Sequence, residues 1–484
     1  MKRLFFILFI VSLFTQSCKD ELTDKEELTK YVNEWVYDNM SVLYYWNKTL
    51  PVYKSNTGDP NAYFKTLKNK DDRFSSIFES YTAISNELKG ISASEAGIEF
   101  QLYKESTTSD NVYAIVRYVK KGTSAATLGV KRGDIIRKLN DKQMTLSNYK
   151  EVINYLYDSS STVSITLSTL VDNIFVDKSP ITLSKISGYK DHPLFLDTVY
   201  TIQNKKIGYI VYNFFTNDSG DKSMQYDLAL NNAFGRFKSE NINELIVDFR
   251  YNSGGAMSSA INFSSMMVPN LVSNKVFSYT EYNNNYTEYF NSDAYKKKYS
   301  DNPFVDNFAT TIDLPAPKTD KFPIQNIGNN LQRIFFLTGS NTASASEMVI
   351  NGLMPFLPCV LIGDTTVGKN VGSVLINDEK NVKNQWAILP IVLKYFNKDK
   401  KSEFTYGFTP NSLVKDDYSH QLGDTREALL AKAINQITGI QNSPSYKTKI
   451  YNSLQHSAIN FNRRHNDLIV NNKPYLNRIF QLKK

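Results

Sequence analysis

The sequence predicts a multidomain α/β (α+β) protein with a layered core. Over residues 180–440, short apolar runs at 207–214, 245–249, 334–337, 360–362 and 387–395 alternate with helical stretches. That alternation suits strands covered by helices. Over residues 88–178 the pattern changes to short β-like runs, such as Tyr113-Ala114-Ile115-Val116 and Val163-Ser164-Ile165-Thr166-Leu167, separated by turn signals. The 484 residues exceed what one core holds, at about 100–200 residues per domain. Hydrophobic residues at 41% and charged residues at 21% belong to a globular chain, not a disordered one.

The first 18 residues read as a targeting signal. Lys2-Arg3 is its positive start, and the apolar run over 4–14 is shorter than the ~20 residues that span a bilayer. Thr15-Gln16-Ser17-Cys18 resembles a bacterial lipobox, with Thr15 where an aliphatic residue is usual. The resemblance implies lipidation at Cys18, a membrane anchor, and a place in the bacterial cell envelope on the periplasmic face or cell surface. Lys19-Asp20-Glu21 resembles the export signals of surface-displayed lipoproteins. With Cys18 lipidated, Cys359 is the single remaining cysteine and no intramolecular disulfide forms. Flanked by Pro358 and Val360-Leu361-Ile362, Cys359 reads as a core thiol.

Residues 19–87 form an N-terminal helical region. Tyr31, Trp35, Val36, Met40, Leu43 and Tyr44 recur mostly at three- and four-residue steps, as in a small cap on a larger body. In the 179–440 core one helix is well marked: Asp424 caps it, Glu427 takes the capping-box position, and Gly439 ends it. Between 270 and 330 the chain turns Asn- and Tyr-rich and reads as a long surface insertion. Residues 441–484 form a basic tail, eight Lys and Arg against Asp467 alone. With that tail and Lys2-Arg3 set aside, the net charge of +8 leaves a near-neutral body. Such a body has no field to gather nucleic acid.

The chemistry concentrates at three places. The apolar run 333–337 leads into Thr342-Ala343-Ser344-Ala345-Ser346-Glu347 and a helix. A nucleophile at a strand-to-helix turn gains from the helix N–H groups and dipole when negative charge develops. Read alone, Ser344 and Glu347 are simply a Ser-x-x-Glu capping box. Gly368-Lys369 follows the next strand, and Asp248-Phe249-Arg250-Tyr251-Asn252-Ser253-Gly254-Gly255 follows an earlier one. Read alone, these are a loop lysine and a tight turn.

Together these motifs resemble the C-terminal processing peptidases, or tail-specific proteases, over about residues 25–440. The resemblance implies a ClpP/crotonase-like layered core and a serine endopeptidase. Ser344 is then the nucleophile and Lys369 the base, 25 positions apart, a spacing that selects Ser344 over Ser346. Gly255 and Ala345 N–H groups form the oxyanion hole. Ser373 stands where many members carry an orienting Gln. Residues 88–178, with Gly122-Thr123-Ser124-Ala125-Ala126 and Gly133-Asp134, resemble a PDZ domain. Its carboxylate loop is then Gly97, Ile98, Glu99 and Phe100, and a bound peptide adds a strand to the sheet edge. A buried Lys can serve as base because burial disfavours the ammonium.

The implied partners are a polypeptide substrate, the membrane through Cys18, and no nucleic acid; no cofactor or metal is expected. The four histidines, His192, His420, His456 and His465, make no His-Glu-x-x-His pattern. No Gly-x-Ser-x-Gly elbow occurs. In Gly363–Lys369, Walker-like in spacing, Asn370 replaces the metal-binding hydroxyl. The alternative at this point is a catalytically inactive, peptide-binding surface lipoprotein with a PDZ domain.

Overall fold

The computed structural model describes residues 23–440 except 173, and residues 458–459 and 469–470. Helix α1, Asp24–Leu43, starts at Thr23, whose hydroxyl accepts from Glu26 N–H while Glu26 accepts from Thr23 N–H. Helix α2, Pro60–Leu67, starts on the Asp59 carboxylate with Pro60 in the first turn, where its missing N–H costs nothing. Val32, Val36, Met40 and Leu43 of α1, and Phe64 and Leu67 of α2, join the same buried cluster as the central strands. The cap is therefore fused to the main core.

A second domain follows with a core of its own. Its antiparallel sheet runs β1 (Ile98–Lys104), β2 (Val112–Val119), β3 (Ile135–Leu139) and β4 (Thr162–Val171). It extends past residue 178 to Ile181–Ser184, paired with β4. Gly129 and Gly133, at φ +78° and +90°, make the turns that bring Asp134 back to the sheet.

The main core opens with an antiparallel pair, β5 (Leu194–Ile202) and β6 (Lys205–Tyr212). Helix α3 (Gln225–Ser239), β7 (Glu244–Asp248) and α4 (Met257–Ser265) follow, then β8 (Val276–Tyr282). Next come β9 (Ile334–Thr338), α5 (Ala345–Leu353), β10 (Cys359–Gly363), β11 (Val371–Ser373), β12 (Ile391–Asn397) and α6 (Ala428–Thr438). The central sheet has the order β5-β6-β7-β9-β10, with Ser412–Leu413 at its edge, and is parallel from β6 onward. Alternation along β6 sends Ile207, Tyr209 and Val211 toward α6, and Ile210 and Tyr212 toward the layer holding α3, α4 and α5. A second sheet lies beyond that layer: Gly255–Ala256, Ile469–Val470, β11, β12, β8 and Val305–Asn307.

Three sequence expectations change. The 387–395 run divides at Pro390 into Ala387–Leu389, paired with Ser76–Phe78, and β12 of another sheet; proline cannot donate to a continuing ladder. Helix α6 is capped by Glu427, which accepts from Leu430 N–H, three residues after the expected cap at Asp424; Asp424 instead accepts from Arg426. The 270–330 stretch is not a surface insertion. It supplies β8 to the second sheet and buries Tyr286, Phe290, Tyr295, Phe308 and Ile312. Its asparagines are partly caps, as at Asn283, so polar composition misread packed rings.

Candidate active site

The parallel strands β6, β7, β9 and β10 end together, with Val211 beside Asp248, Asp248 beside Leu337 and Thr338 beside Gly363. Open α/β sheets bind ligands at the carboxyl ends of their strands. The loops leaving these ends carry Phe215, Gly254-Gly255, Ser344 and Lys369.

Ser344 joins β9 to α5 at φ +64° and ψ −115°. A β-carbon is disfavoured there, and such a backbone costs about 1–3 kcal/mol unless its surroundings hold it. They do. Asn252 O accepts from Ala343 N–H and from Ser346 Oγ, and Thr342 Oγ1 donates to Phe249 O. Ser344 is fully buried, and its Oγ has no hydrogen-bond partner in the protein. Ala345 N–H is the first of α5, one of the donors a helix start leaves unpaired within the helix.

Glu347 organises the site. Its Oε2 accepts from Ser344 N–H and from Lys369 N–H, both at 2.8 Å. Its Oε1 accepts from Gly368 N–H at 2.7 Å and Thr366 Oγ1 at 2.5 Å. Burial raises the carboxyl above its ordinary range, and the four hydrogen bonds oppose that rise. One carboxylate thus ties the Ser344 turn to the Lys369 loop. Lys369 is fully buried, with Nζ 5.2 Å from the centre of the Phe74 ring. Arg73 braces this loop from outside, donating to Val367 O and Gly368 O. Ser373 ends β11, and its buried Oγ also has no partner in the protein.

The glycine pair is required by space. A β-carbon on Gly254 would stand 2.6 Å from Ser344 Cβ and 3.0 Å from Ala345 N; one on Gly255 would stand 2.0 Å from Phe215 O. Gly254 O accepts from Phe215 N–H. In a planar trans peptide the Gly255 N–H points the other way, toward the side on which Ile469 pairs. The rest of the motif holds this loop. Asn252 accepts from Gly254 N–H and donates to Tyr212 O. Arg250 pairs with Asp248, Glu427 and Asp416. Arg132, next to Gly133-Asp134 in the second domain, also reaches Asp416, at 2.6 Å, and the Tyr251 hydroxyl. Burial alone would raise Asp416; Arg132 and Arg250 hold it well below the usual carboxylate range.

In the second domain, Gly97 sits at φ +90° just before β1, with Thr123 filling the space a side chain would need. Its N–H donates to Glu95. Ile98 and Phe100 point into the domain core. Glu99, with Glu95 and Asp191, surrounds the buried Lys120 at 2.6–3.2 Å.

The sequence marks Glu347 only as a cap and gives no sign of Arg73 or Phe74. A Ser-x-x-Glu box signals the first bond, but nothing local reports the carboxylate's reach to residues 366–369. His420 does meet Ser419 and Asp417, yet both sit on Nδ1, whereas a triad needs them on opposite ring nitrogens. Cys359 is a free thiol that burial pushes up to about 12, protonated and unreactive. Among the described residues no His, Cys, Asp and Glu cluster could hold a metal, and no helix is long and apolar enough to cross a membrane. Cys18 lies outside the described residues, as does most of the basic 441–484 segment.

Three family models match the chain: peptidase family S41 over residues 206–414, the peptidase S41 N-terminal domain over 31–76, and a PDZ domain over 115–168. The two peptidase models together take in more than half of it. No curated protein matches by sequence. Among solved structures, a candidate S41 protease from Bacteroides fragilis NCTC 9343 is similar at a TM-score of 0.66 and 23% identity, covering 84% of this chain and 98% of that one. The photosystem II D1 C-terminal processing protease is similar at 0.43 and 15%, covering 81% and 94%.

Proposed function

This chain belongs to peptidase family S41, and from that premise we propose that it is a serine endopeptidase working through Ser344 and Lys369. The observation that carries the reading is the Glu347 carboxylate, which accepts from the backbone N–H of both residues. A serine hydroxyl becomes a useful nucleophile when a neighbour takes its proton. The neutral Lys369 amine accepts the Ser344 proton as Oγ attacks the scissile carbonyl. Burial supplies a setting that disfavours an ammonium. The carbonyl oxygen becomes an oxyanion facing Gly255 N–H and Ala345 N–H. One such donor is worth about 3–4 kcal/mol, or 10²–10³ in kcat. The protonated amine then gives its proton to the leaving nitrogen. Water attacks the acyl-enzyme by the same path in reverse.

In this reading Ser373 stands in place of a glutamine, and its Oγ, which has no partner in the protein, turns to the amine once substrate is bound. The PDZ domain holds substrate polypeptide along β1 near Gly97–Phe100. The anchor is a lipid on Cys18, which puts the enzyme at the cell envelope; loss of labelled-lipid incorporation in Cys18→Ala tests that part. The catalytic assignment is tested by a fluorophosphonate probe and peptide mapping. The expected adduct is on the peptide carrying Ser344, absent from Ser344→Ala and strongly slowed in Lys369→Ala. An adduct on a different serine overturns it.

A further inference from the structure

The four described residues of the 441–484 segment form two short strands, and both lie on edges that a peptide ligand would use. Ala458–Ile459 pairs antiparallel with β1, Ala458 beside Tyr103 and Ile459 beside Leu102, and Gln101 Nε2 donates to Ile459 O at 2.9 Å. Ile469–Val470 pairs in parallel with Gly255–Ala256 on one side and with Ser373 on the other. The first edge begins at the Gly97 turn of the PDZ domain. The second contains the glycine that offers an oxyanion donor, beside a glycine packed on Ser344, and the residue four positions after Lys369.

We infer that the chain's own strands Ala458–Ile459 and Ile469–Val470 are resident peptide ligands, the first of its PDZ edge and the second of its active-site edge, and compete there with substrate. This inference rests on the peptidase reading for its consequence, but not for the binding itself. Recognition of an extended peptide by strand addition uses main-chain hydrogen bonds, so it takes many sequences. Each edge accepts one strand. While Ile469–Val470 lies between Gly255–Ala256 and β11, a substrate strand cannot take that place. Attachment gives the segment an effective concentration in the millimolar range. A substrate polypeptide must therefore displace it, which raises KM and leaves kcat unchanged.

Proline substitution tests this in the full-length chain, because proline removes the N–H a ladder needs. The first measurement is amide exchange in the Ser344→Ala protein, where no proteolysis intervenes. Adding Val470→Pro is expected to speed exchange over residues 252–258 and 371–376, and adding Ile459→Pro to speed it over 98–104. Exchange unchanged by both overturns the inference. Protection that rises with protein concentration overturns it too, since the ligand would then be a second copy's segment. The second measurement, with Ser344 intact, is turnover of an unstructured polypeptide. Val470→Pro should raise kcat/KM by roughly tenfold through KM, and a synthetic peptide of residues 456–472 should reverse the gain competitively. An unchanged KM overturns the competition. If no form of the protein cleaves, the peptidase reading fails, while the exchange result still decides whether the segment is docked.

Discussion

Ser344 combines a backbone in which a β-carbon is disfavoured with a buried hydroxyl that has no partner in the protein. Such a residue persists only where its neighbours over-determine it, and Glu347 is the neighbour that also reaches Lys369. Glu347→Gln keeps the size but offers one acceptor oxygen to four donors, and its amide would face backbone N–H groups. We expect a loss of about 1–3 kcal/mol in unfolding free energy. We also expect kcat to fall on the order of tenfold or more, with KM little changed, because misplacement by a fraction of an ångström is felt at the reacting atoms. Urea unfolding and steady-state kinetics check the two parts. Unchanged kcat would reduce Glu347 to a helix cap. That Ser344, Lys369 and the glycine pair come together was legible because their motifs are contiguous and each follows an apolar strand. Phe74 and Arg73 were not, since they come to Lys369 from almost 300 positions away.

Helices α3 and α4 meet through Asp227, which accepts from Ser259, Asn217 and Asn262. Burial raises this carboxyl to about 6, against the hydrogen bonds that lower it. The folded state therefore holds a proton that the unfolded chain releases near the ordinary value of 3.8. Stability from this group is full below that value, declines between it and about 6, and is then lower by about 3 kcal/mol. Asp227→Asn removes the titration. Relative to that variant, wild-type Tm should fall as pH rises from 4 to 6.5; a constant difference would contradict the shift. At this scale the parallel strands read well, because buried runs bounded by turns identify themselves. The 270–330 stretch did not, because tyrosine and asparagine look polar in composition while the rings pack inward and the amides cap helices.

Across the whole molecule, Arg132 of the PDZ domain and Arg250 of the catalytic core share Asp416, next to Tyr251 in the loop that leads to Gly254-Gly255. Breaking a buried pair costs about 3–5 kcal/mol. Asp416 keeps Arg250, so Arg132→Ala should cost less, about 2–3 kcal/mol. It should also speed amide exchange across residues 416–421, where Arg132 holds the His420 and Asp417 carbonyls. Equal stability and exchange would mean that the domains are held elsewhere. The domain order was readable from composition shifts and motif order. The strands at 458–459 and 469–470 were not, because two-residue strands leave no periodic pattern and a basic segment reads as solvated. The roles proposed for Ser344 and Lys369 are tested most directly by cleavage of an unstructured polypeptide by purified full-length wild type, Ser344→Ala and Lys369→Ala, each shown to be folded by circular dichroism. The expected result is turnover by the wild type and equal, complete loss in both variants, since the pair acts as a unit. Cleavage by folded Ser344→Ala at the wild-type rate would contradict it.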